Sequence, residues 1–398
     1  MNVEEATLSS EAFVQIPTPG DHYSSSTGSA VMTLVYEFSR KHSDWGGDTA
    51  VVVACGTRHD YPVGRSVAID FGRFPSRKER YLDIALGAVG LERYYINQFY
   101  SPATEAIQST FDGFVFLQNA PAPLPMLKRH SPNAKVVLHV HNSLFTTYTR
   151  KEVEKTISTA DVIICNCEFL ADEIVGRLSG VRSPKIAVVY NGVDTKRFVP
   201  SPGLVDPANI SILFVARMVP EKGADLLIKA ARKIYGGKRR FKLQIVGNQG
   251  FSAGGPLSPF EIELRKLASP MGESVEFLPF VDRHKILPIY QSANIFCAPS
   301  NWNEPCTLTI PEAMACGTPT IASRRGGIPE MAGDAALYFD TPNVDELAEL
   351  LEYLVDDAKA RSEWSSKARL RAEQCDWSHR YISLRRALGL NVFRENSD

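Results

Sequence analysis

Short runs rich in valine, isoleucine and phenylalanine alternate along the chain with stretches whose apolar residues recur at helical spacing, the pattern of parallel sheets covered by helices. The first run is Phe13 to Ile16, and the helix after it carries Val31, Leu34, Val35 and Phe38. Further strands are predicted at Thr49 to Ala54, Ser66 to Phe71, Gly113 to Leu117, Lys135 to Val140, Asp161 to Cys165 and Lys185 to Tyr190. Helices are predicted over Glu92 to Gln108, Arg150 to Thr159 and Ala171 to Leu178. Asn191-Gly192 is a strong turn signal, and the proline-rich Val199 to Asn209 reads as a linker, so a domain boundary falls near Pro200. The alternation then resumes, with strands at Ser211 to Val215, Phe241 to Val246, Val275 to Leu278 and Ile295 to Ala298 and a helix over Asp225 to Tyr235. Three helices close the chain, over Val344 to Val355, Ala358 to Gln374 and Ser378 to Leu388. The fold class is α/β from end to end.

Ligands of open α/β sheets bind beyond the carboxyl ends of the strands, so the chemistry is sought there. The loop Pro17 to Gly28 follows the first strand, and Gly28 would permit close backbone approach. Alone such a turn is weak evidence, and no GxGxxG occurs. His139 and His141 share a face of their strand, and His141 falls at its carboxyl end. Arg217 and Lys222 lie on the loop after Val215, where a forked guanidinium and a mobile ammonium suit a diphosphate. An exposed charged loop is the plainer reading of such a pair taken alone.

The densest stretch runs from Asn303 to Glu330. Pro305 pushes Glu304 out of the helical region and onto a loop. Thr309 and Glu312 have the spacing of a capping box, Pro311 fits a first turn, and Gly317 is placed to end a short helix. Such a helix start favours anions, and two carboxylates beside a phosphate site suggest sugar hydroxyls. Taken singly, Glu312 would be only the acid of its cap and Glu304 only a solvated charge.

The whole pattern is Glu304-Pro, seven intervening residues, Glu312-Ala-Met-Ala, Gly317-Thr-Pro and Gly326-Gly-Ile-Pro-Glu330. It resembles the signature of glycosyltransferase family 4, retaining enzymes of the GT-B fold. The segments Val140-His141-Asn142, Asn191 to Phe198, Arg217 to Gly223 and Phe277 to Ile286 also resemble that family. The resemblance implies two Rossmann-like domains facing each other across a deep cleft. Residues 1–199, with a C-terminal helix of about 378–398 crossing back, would take the acceptor; residues 200–377 would hold a nucleotide-sugar donor.

Roles follow from the resemblance. Arg217 and Lys222 would neutralise the leaving diphosphate, Glu304 would bind donor-sugar hydroxyls, Glu312 the ribose diol, and His141 the sugar. Gly28, Gly247, Val281, Arg283, Cys306, Thr307 and Leu308 complete the expected donor set. Asn142 replaces a family aspartate, Phe280 a glycine, and Cys306-Thr307 a common phenylalanine-glycine pair. No metal and no cofactor is required. The donor expected on family frequency is UDP-glucose or another UDP-hexose, with GDP-mannose second. The acceptor stays open among a surface polysaccharide, a lipid-linked sugar and a small metabolite. Alternatives are a GT-B epimerase or phosphorylase and a non-catalytic nucleotide-binding protein; a nicotinamide oxidoreductase is disfavoured by the missing dinucleotide fingerprint.

Composition changes this picture little. The chain has 398 residues, enough for two cored domains, with 44% hydrophobic and 22% charged residues and a formal net charge of -1. That charge gives no reason to expect nucleic acid. The seven cysteines show neither zinc spacing nor a small disulfide framework, which points to a reducing cytoplasm. The N-terminus lacks the marks of a signal peptide, and no apolar run reaches the ~18 residues that span a bilayer. The basic, aromatic run Arg73 to Tyr81 precedes a helical pattern and could touch anionic lipid peripherally, although a solvated face is the plainer reading.

Overall fold

A computed structural model of the chain describes residues 9–178, 185–201, 209–236, 241–250 and 254–393. Most of the expected linker therefore lies outside the described residues. Contacts divide the chain into two units: Met1–Ser24, Ser29–Tyr190 and Arg380–Asp398 form one, and Ser25–Gly28 with Asn191–His379 form the other. The turn at Asn191 thus goes with the second unit, where the sequence reading had placed it in the first.

The first unit is built on seven strands: β1 (Phe13–Ile16), β2 (Thr49–Ala54), β3 (Arg65–Ile69), β4 (Phe114–Gln118), β5 (Lys135–Val140), β6 (Val162–Cys165) and β7 (Ile186–Val188). They lie in the order β3-β2-β1-β4-β5-β6-β7, every pairing parallel. Strands β1 and β4 are buried along their whole length, which is why their sequences run apolar rather than alternating. The helix Trp377–Ala387 ends in this unit. There the Tyr381 hydroxyl lies 2.7 Å from His42 Nδ1, and Arg385 donates to Glu11 Oε2 at 3.3 Å.

The second unit has six strands: β8 (Ile210–Val215), β9 (Phe241–Val246), β10 (Val275–Leu278), β11 (Ile295–Ala298), β12 (Thr320–Ser323) and β13 (Ala336–Phe339). Their order is β10-β9-β8-β11-β12-β13, again all parallel. The helix Ala224–Ile234 lays Leu227, Ile228, Ala231 and Ile234 into the core with Phe214, Leu243, Ile245 and Ile295. In each sheet the strand order reverses beside the first strand, between β1 and β4 and between β8 and β11. Those are the places where an open parallel sheet leaves a crevice at its carboxyl edge.

Two strands and several helices escape the sequence reading. β12 and β13 have four residues each, and β12 begins and ends on buried polar residues, Thr320 and Ser323. So short a run carries no period to read. The helical pattern expected after the basic run is present as the helix Arg77–Ala88, but it starts inside that run, because Ser76 and Glu79 form a capping box there.

Candidate functional site

In the second unit the loops after β8 and β11 flank the point of reversal. The β8 loop carries Arg217, half-buried, and Lys222 on a 3-10 turn, Pro220–Lys222, that ends at Gly223. Gly223 has φ +73°, and a Cβ there would overlap the Pro299 carbonyl oxygen of the β11 loop. Only glycine lets the two loops meet so closely. The Asn301 N–H donates to the Glu221 carbonyl at 2.8 Å, a second tie between the same loops. Gly247, at the end of β9, is equally constrained: at φ +132° its missing side chain makes way for the Ala216 carbonyl.

This closeness brings Lys222 and Glu304 together. The Lys222 ammonium donates to Glu304 Oε2, with side-chain exposures of 15% and 9%. The Trp302 indole N–H donates to the same oxygen at 2.9 Å and the Ser300 hydroxyl at 3.4 Å. Lys222 Nζ also lies 5.5 Å from the centre of the Trp302 ring. Three donors thus converge on Oε2, while Oε1 accepts no hydrogen bond among the described residues. The carboxylate is anchored by one oxygen and presents the other.

A second pair forms around Glu312. Arg283, on the loop after β10, donates to Glu312 Oε1, and the buried Tyr290 hydroxyl donates to Oε2 at 2.9 Å. Burial first, and then the neighbouring Glu312 charge, push the Tyr290 hydroxyl well above its usual value, so it stays a donor. A carboxylate oxygen has two lone pairs, so each oxygen of Glu312 can take one further hydrogen bond.

The expected capping box is absent here. The helix runs Thr309–Ala315 with Leu308 at the N-cap and no side-chain cap, because the Glu312 carboxylate is drawn to Arg283 and Tyr290 instead. Thr309 N–H is taken by Thr307 Oγ1 at 3.3 Å, Glu312 N–H bonds the Leu308 carbonyl, and Pro311 has none. The other end of the helix matches expectation: Thr318 N–H reaches the Ala313 carbonyl at 3.0 Å and Gly317 N–H the Met314 carbonyl at 2.9 Å, a Schellman cap with Gly317 at φ +73°.

Cys306 and Leu308 are buried, and the Cys306 carbonyl accepts from Asn191 Nδ2 at 3.4 Å. The Thr307 and Thr309 hydroxyls lie 2.9 Å apart. Val281 is half-buried on the loop that carries Arg283, and Gly28 is exposed just before Ser29, the N-cap of the helix Ala30–Asp44.

His141 belongs to the first unit, immediately after β5. Its backbone N–H donates to Asn119 Oδ1 at 2.8 Å, and Asn119 takes a left-handed φ of 55° to reach it. The side chain is buried at the end of a polar row. His141 Nε2 lies 2.6 Å from Gln118 Oε1, and Gln118 Nε2 donates to Gln15 Oε1 at 2.6 Å. Because the Gln118 amide points its N–H at Gln15, its oxygen faces His141, and the imidazole must carry its proton on Nε2. Burial lowers the His141 pKa to about 3, so the ring is neutral near pH 7. Trp302 and Tyr290 beside the two carboxylates, and Gln118 and Gln15 beside His141, were not picked out from the sequence. The one available signal was a glutamine inside each of two otherwise apolar strands. Among the described residues no group of three or more His, Cys, Asp or Glu could hold a metal ion.

Comparison with known proteins agrees with this architecture. The family Glycosyltransferase Family 4 matches residues 31–197, and the family Glycosyl transferases group 1 matches residues 199–371. Spore coat protein SA of Bacillus subtilis is 28% identical over 287 residues, 68% of this chain and 75% of that protein. The GDP-mannose-dependent monoacylated alpha-(1-6)-phosphatidylinositol monomannoside mannosyltransferase of Corynebacterium glutamicum is 32% identical over 213 residues. That match covers 49% of this chain and about half, 53%, of the relative. Among solved structures, Anabaena HepE in complex with UDP and glucose aligns with a TM-score of 0.71 at 17% identity, over 95% of this chain and 99% of that one. That likeness is one of fold. The two units are thus the paired Rossmann-like domains of a glycosyltransferase, and the chain belongs to the family-4 type of GT-B glycosyltransferases.

Proposed function

We propose that the chain moves a hexose from a nucleotide-sugar donor, UDP-glucose or another UDP-hexose, to a hydroxyl of a carbohydrate or glycolipid acceptor, with retention of anomeric configuration, in polysaccharide or glycoconjugate assembly. The observation that carries this reading is the Glu304 carboxylate, fixed through Oε2 by Lys222, Trp302 and Ser300 and open at Oε1. An acceptor oxygen held rigidly beside a cation suits a sugar hydroxyl next to a phosphate. Lys222 and Arg217 neutralise the charge that grows on the diphosphate as the anomeric C–O bond breaks, the main catalytic term when a dianion departs. The acceptor oxygen bonds the anomeric carbon on the same face, and its proton passes to the departing phosphate oxygen. Glu312 takes the ribose diol, and His141 offers a neutral ring to the sugar. No step needs a metal ion.

The test is a melting series with UDP, UDP-glucose, GDP, GDP-mannose, ADP and NAD, each with and without EDTA. A ligand at about 100 times its Kd raises stability by roughly 2.7 kcal/mol. The expected result is a rise with UDP and UDP-glucose that survives EDTA. A rise with GDP-mannose alone would replace the donor, and a rise with NAD alone would overturn the reading. If Glu304→Gln trapped a covalent glycosyl adduct, the one-face route would be wrong.

A further inference from the structure

The helix Arg77–Ala88 leaves much of its apolar surface exposed. Of its twelve residues only Asp83 and Gly87 are buried, four apart and so on one side. Asp83 accepts the Tyr95 and Ile96 backbone N–H groups, both at 2.9 Å, and Gly87 lies so close to the Glu152 carboxylate that a Cβ would not fit. Ile84 and Leu86 are half-buried, but the other large apolar residues point outward. Tyr81 and Leu82 on the helix and Val89 just past it are 59%, 51% and 74% exposed. Phe74 before the helix and Leu91 and Tyr94 after it are exposed as well. Among the described residues, six of the eleven exposed large hydrophobics thus fall between Phe74 and Tyr94. An amphipathic helix normally buries its apolar face against its own domain. This one leaves Tyr81 and Leu82 outside.

The charges beside that face are positive. Arg77, Lys78 and Arg80 are exposed on the same helix, Arg77 against Tyr81 and Arg80 against Phe74 at 5.8 Å from each ring. Most acids nearby are already engaged, Glu79 with Arg73 at 2.6 Å, Asp83 inside and Glu92 with Arg129 at 2.6 Å, while among the described residues the exposed Asp70 accepts only the Gly72 N–H of its own loop. Lys151 and Lys155 stand beside Leu91 at the rim of one small cavity, which adds two cations and no free acid to the patch. Exposed aromatic and aliphatic side chains bordered by Arg and Lys match the chemistry of an anionic bilayer surface, where the rings and aliphatic tips enter the headgroup layer and the cations meet phosphate.

We propose that this face, Phe74 to Tyr94, docks the first unit on an anionic phospholipid surface. The contact is peripheral; among the described residues no helix is long and apolar enough to cross a membrane. It rests on no part of the donor reading.

The experiment is flotation of the full chain with phosphatidylcholine vesicles made with and without phosphatidylglycerol. Wild type floats with the anionic vesicles and stays behind with the neutral ones. Arg77→Glu/Lys78→Glu/Arg80→Glu loses on the order of 100-fold in partition, three surface cations each contributing several-fold. Tyr81→Ser/Leu82→Ser also stays behind. All five positions are exposed, and an unchanged melting temperature with UDP in each variant shows that the fold and donor site are intact. Wild type that fails to float, floats equally with neutral vesicles, or loses nothing in both variants overturns the proposal. So does a self-association that Tyr81→Ser/Leu82→Ser abolishes, since the face would then meet a second copy. Flotation reads no glycosyl transfer, so its failure leaves the donor assignment standing.

Discussion

Replacing Gly223 by alanine tests whether the two loops of the proposed donor site are held by backbone contact, and Gly317→Ala is its matched control. Both glycines have φ +73° and lie in the second unit. An L-residue in that region costs about 1–2 kcal/mol, and the stiffer unfolded chain offsets roughly 0.4–1 kcal/mol of it. At Gly317 the new methyl meets Ser365 Oγ at 3.2 Å and Pro200 Cγ at 3.4 Å, both side-chain atoms that can yield slightly. Its net cost is about 1 kcal/mol. At Gly223 the methyl meets the Pro299 carbonyl, which is backbone and moves only with its loop. Overpacking of that kind adds about 1–3 kcal/mol. The expected total is about 3 kcal/mol, or roughly 6–12 °C in Tm for a domain of this size. Calorimetry is the assay, read on the transition that UDP raises. Gly223→Ala should also shrink the UDP-induced rise, because the shift carries Lys222 away from Glu304. If the two variants melt together, the loops are not locked at Gly223 and the reasoning fails.

His42 is buried against the Phe13 ring at 3.7 Å, and burial, then the Arg385 cation, lower its pKa from 6.5 to about 4. Between those values the unfolded chain binds a proton that the folded chain does not, so stability present above pH 6.5 falls as the pH drops towards 4, by up to ~3 kcal/mol. His42→Gln should flatten the pH dependence of stability in that window; an equal slope would refute the assignment. Gln118→Leu removes the acceptor of the His141 Nε2–H. Nitrogen NMR should show loss of the single Nε2–H tautomer, and kcat should fall roughly 2- to 10-fold, the worth of one hydrogen bond, with KM little changed. A tautomer that survives the substitution would show that Gln118 does not set it.

The strands over Phe13–Ile16, Thr49–Ala54, Lys135–Val140, Phe241–Val246, Val275–Leu278 and Ile295–Ala298 are where the apolar runs put them. Most are buried on both faces, so burial itself writes the run. β12 is legible only in space, because Thr320 and Ser323 are buried by neighbouring strands and not by any pattern of their own. The missed capping chemistry has a similar cause. Thr309 and Glu312 have the right spacing, but a half-buried arginine 29 residues away competes for the same carboxylate and wins. Spacing rules see only local partners. The motif brought Lys222 and Glu304 into view as separate residues, whereas their pairing spans 82 residues and depends on the bare Cα of Gly223. Gln15 and Gln118 lie 103 residues apart, and no local pattern links them.

The Lys222–Glu304 pair gives the proposed donor site a selectivity of its own. A ligand that draws the ammonium to itself leaves Glu304, only 7% exposed, without its counter-charge. Inorganic diphosphate or a bare nucleotide does this and returns nothing to the carboxylate. A diphosphate joined to a hexose supplies a hydroxyl in the same event. With the donor proposed above, the site would favour the intact donor over its own spent product, and a larger melting shift with UDP-glucose than with UDP at equal occupancy is how that preference would register.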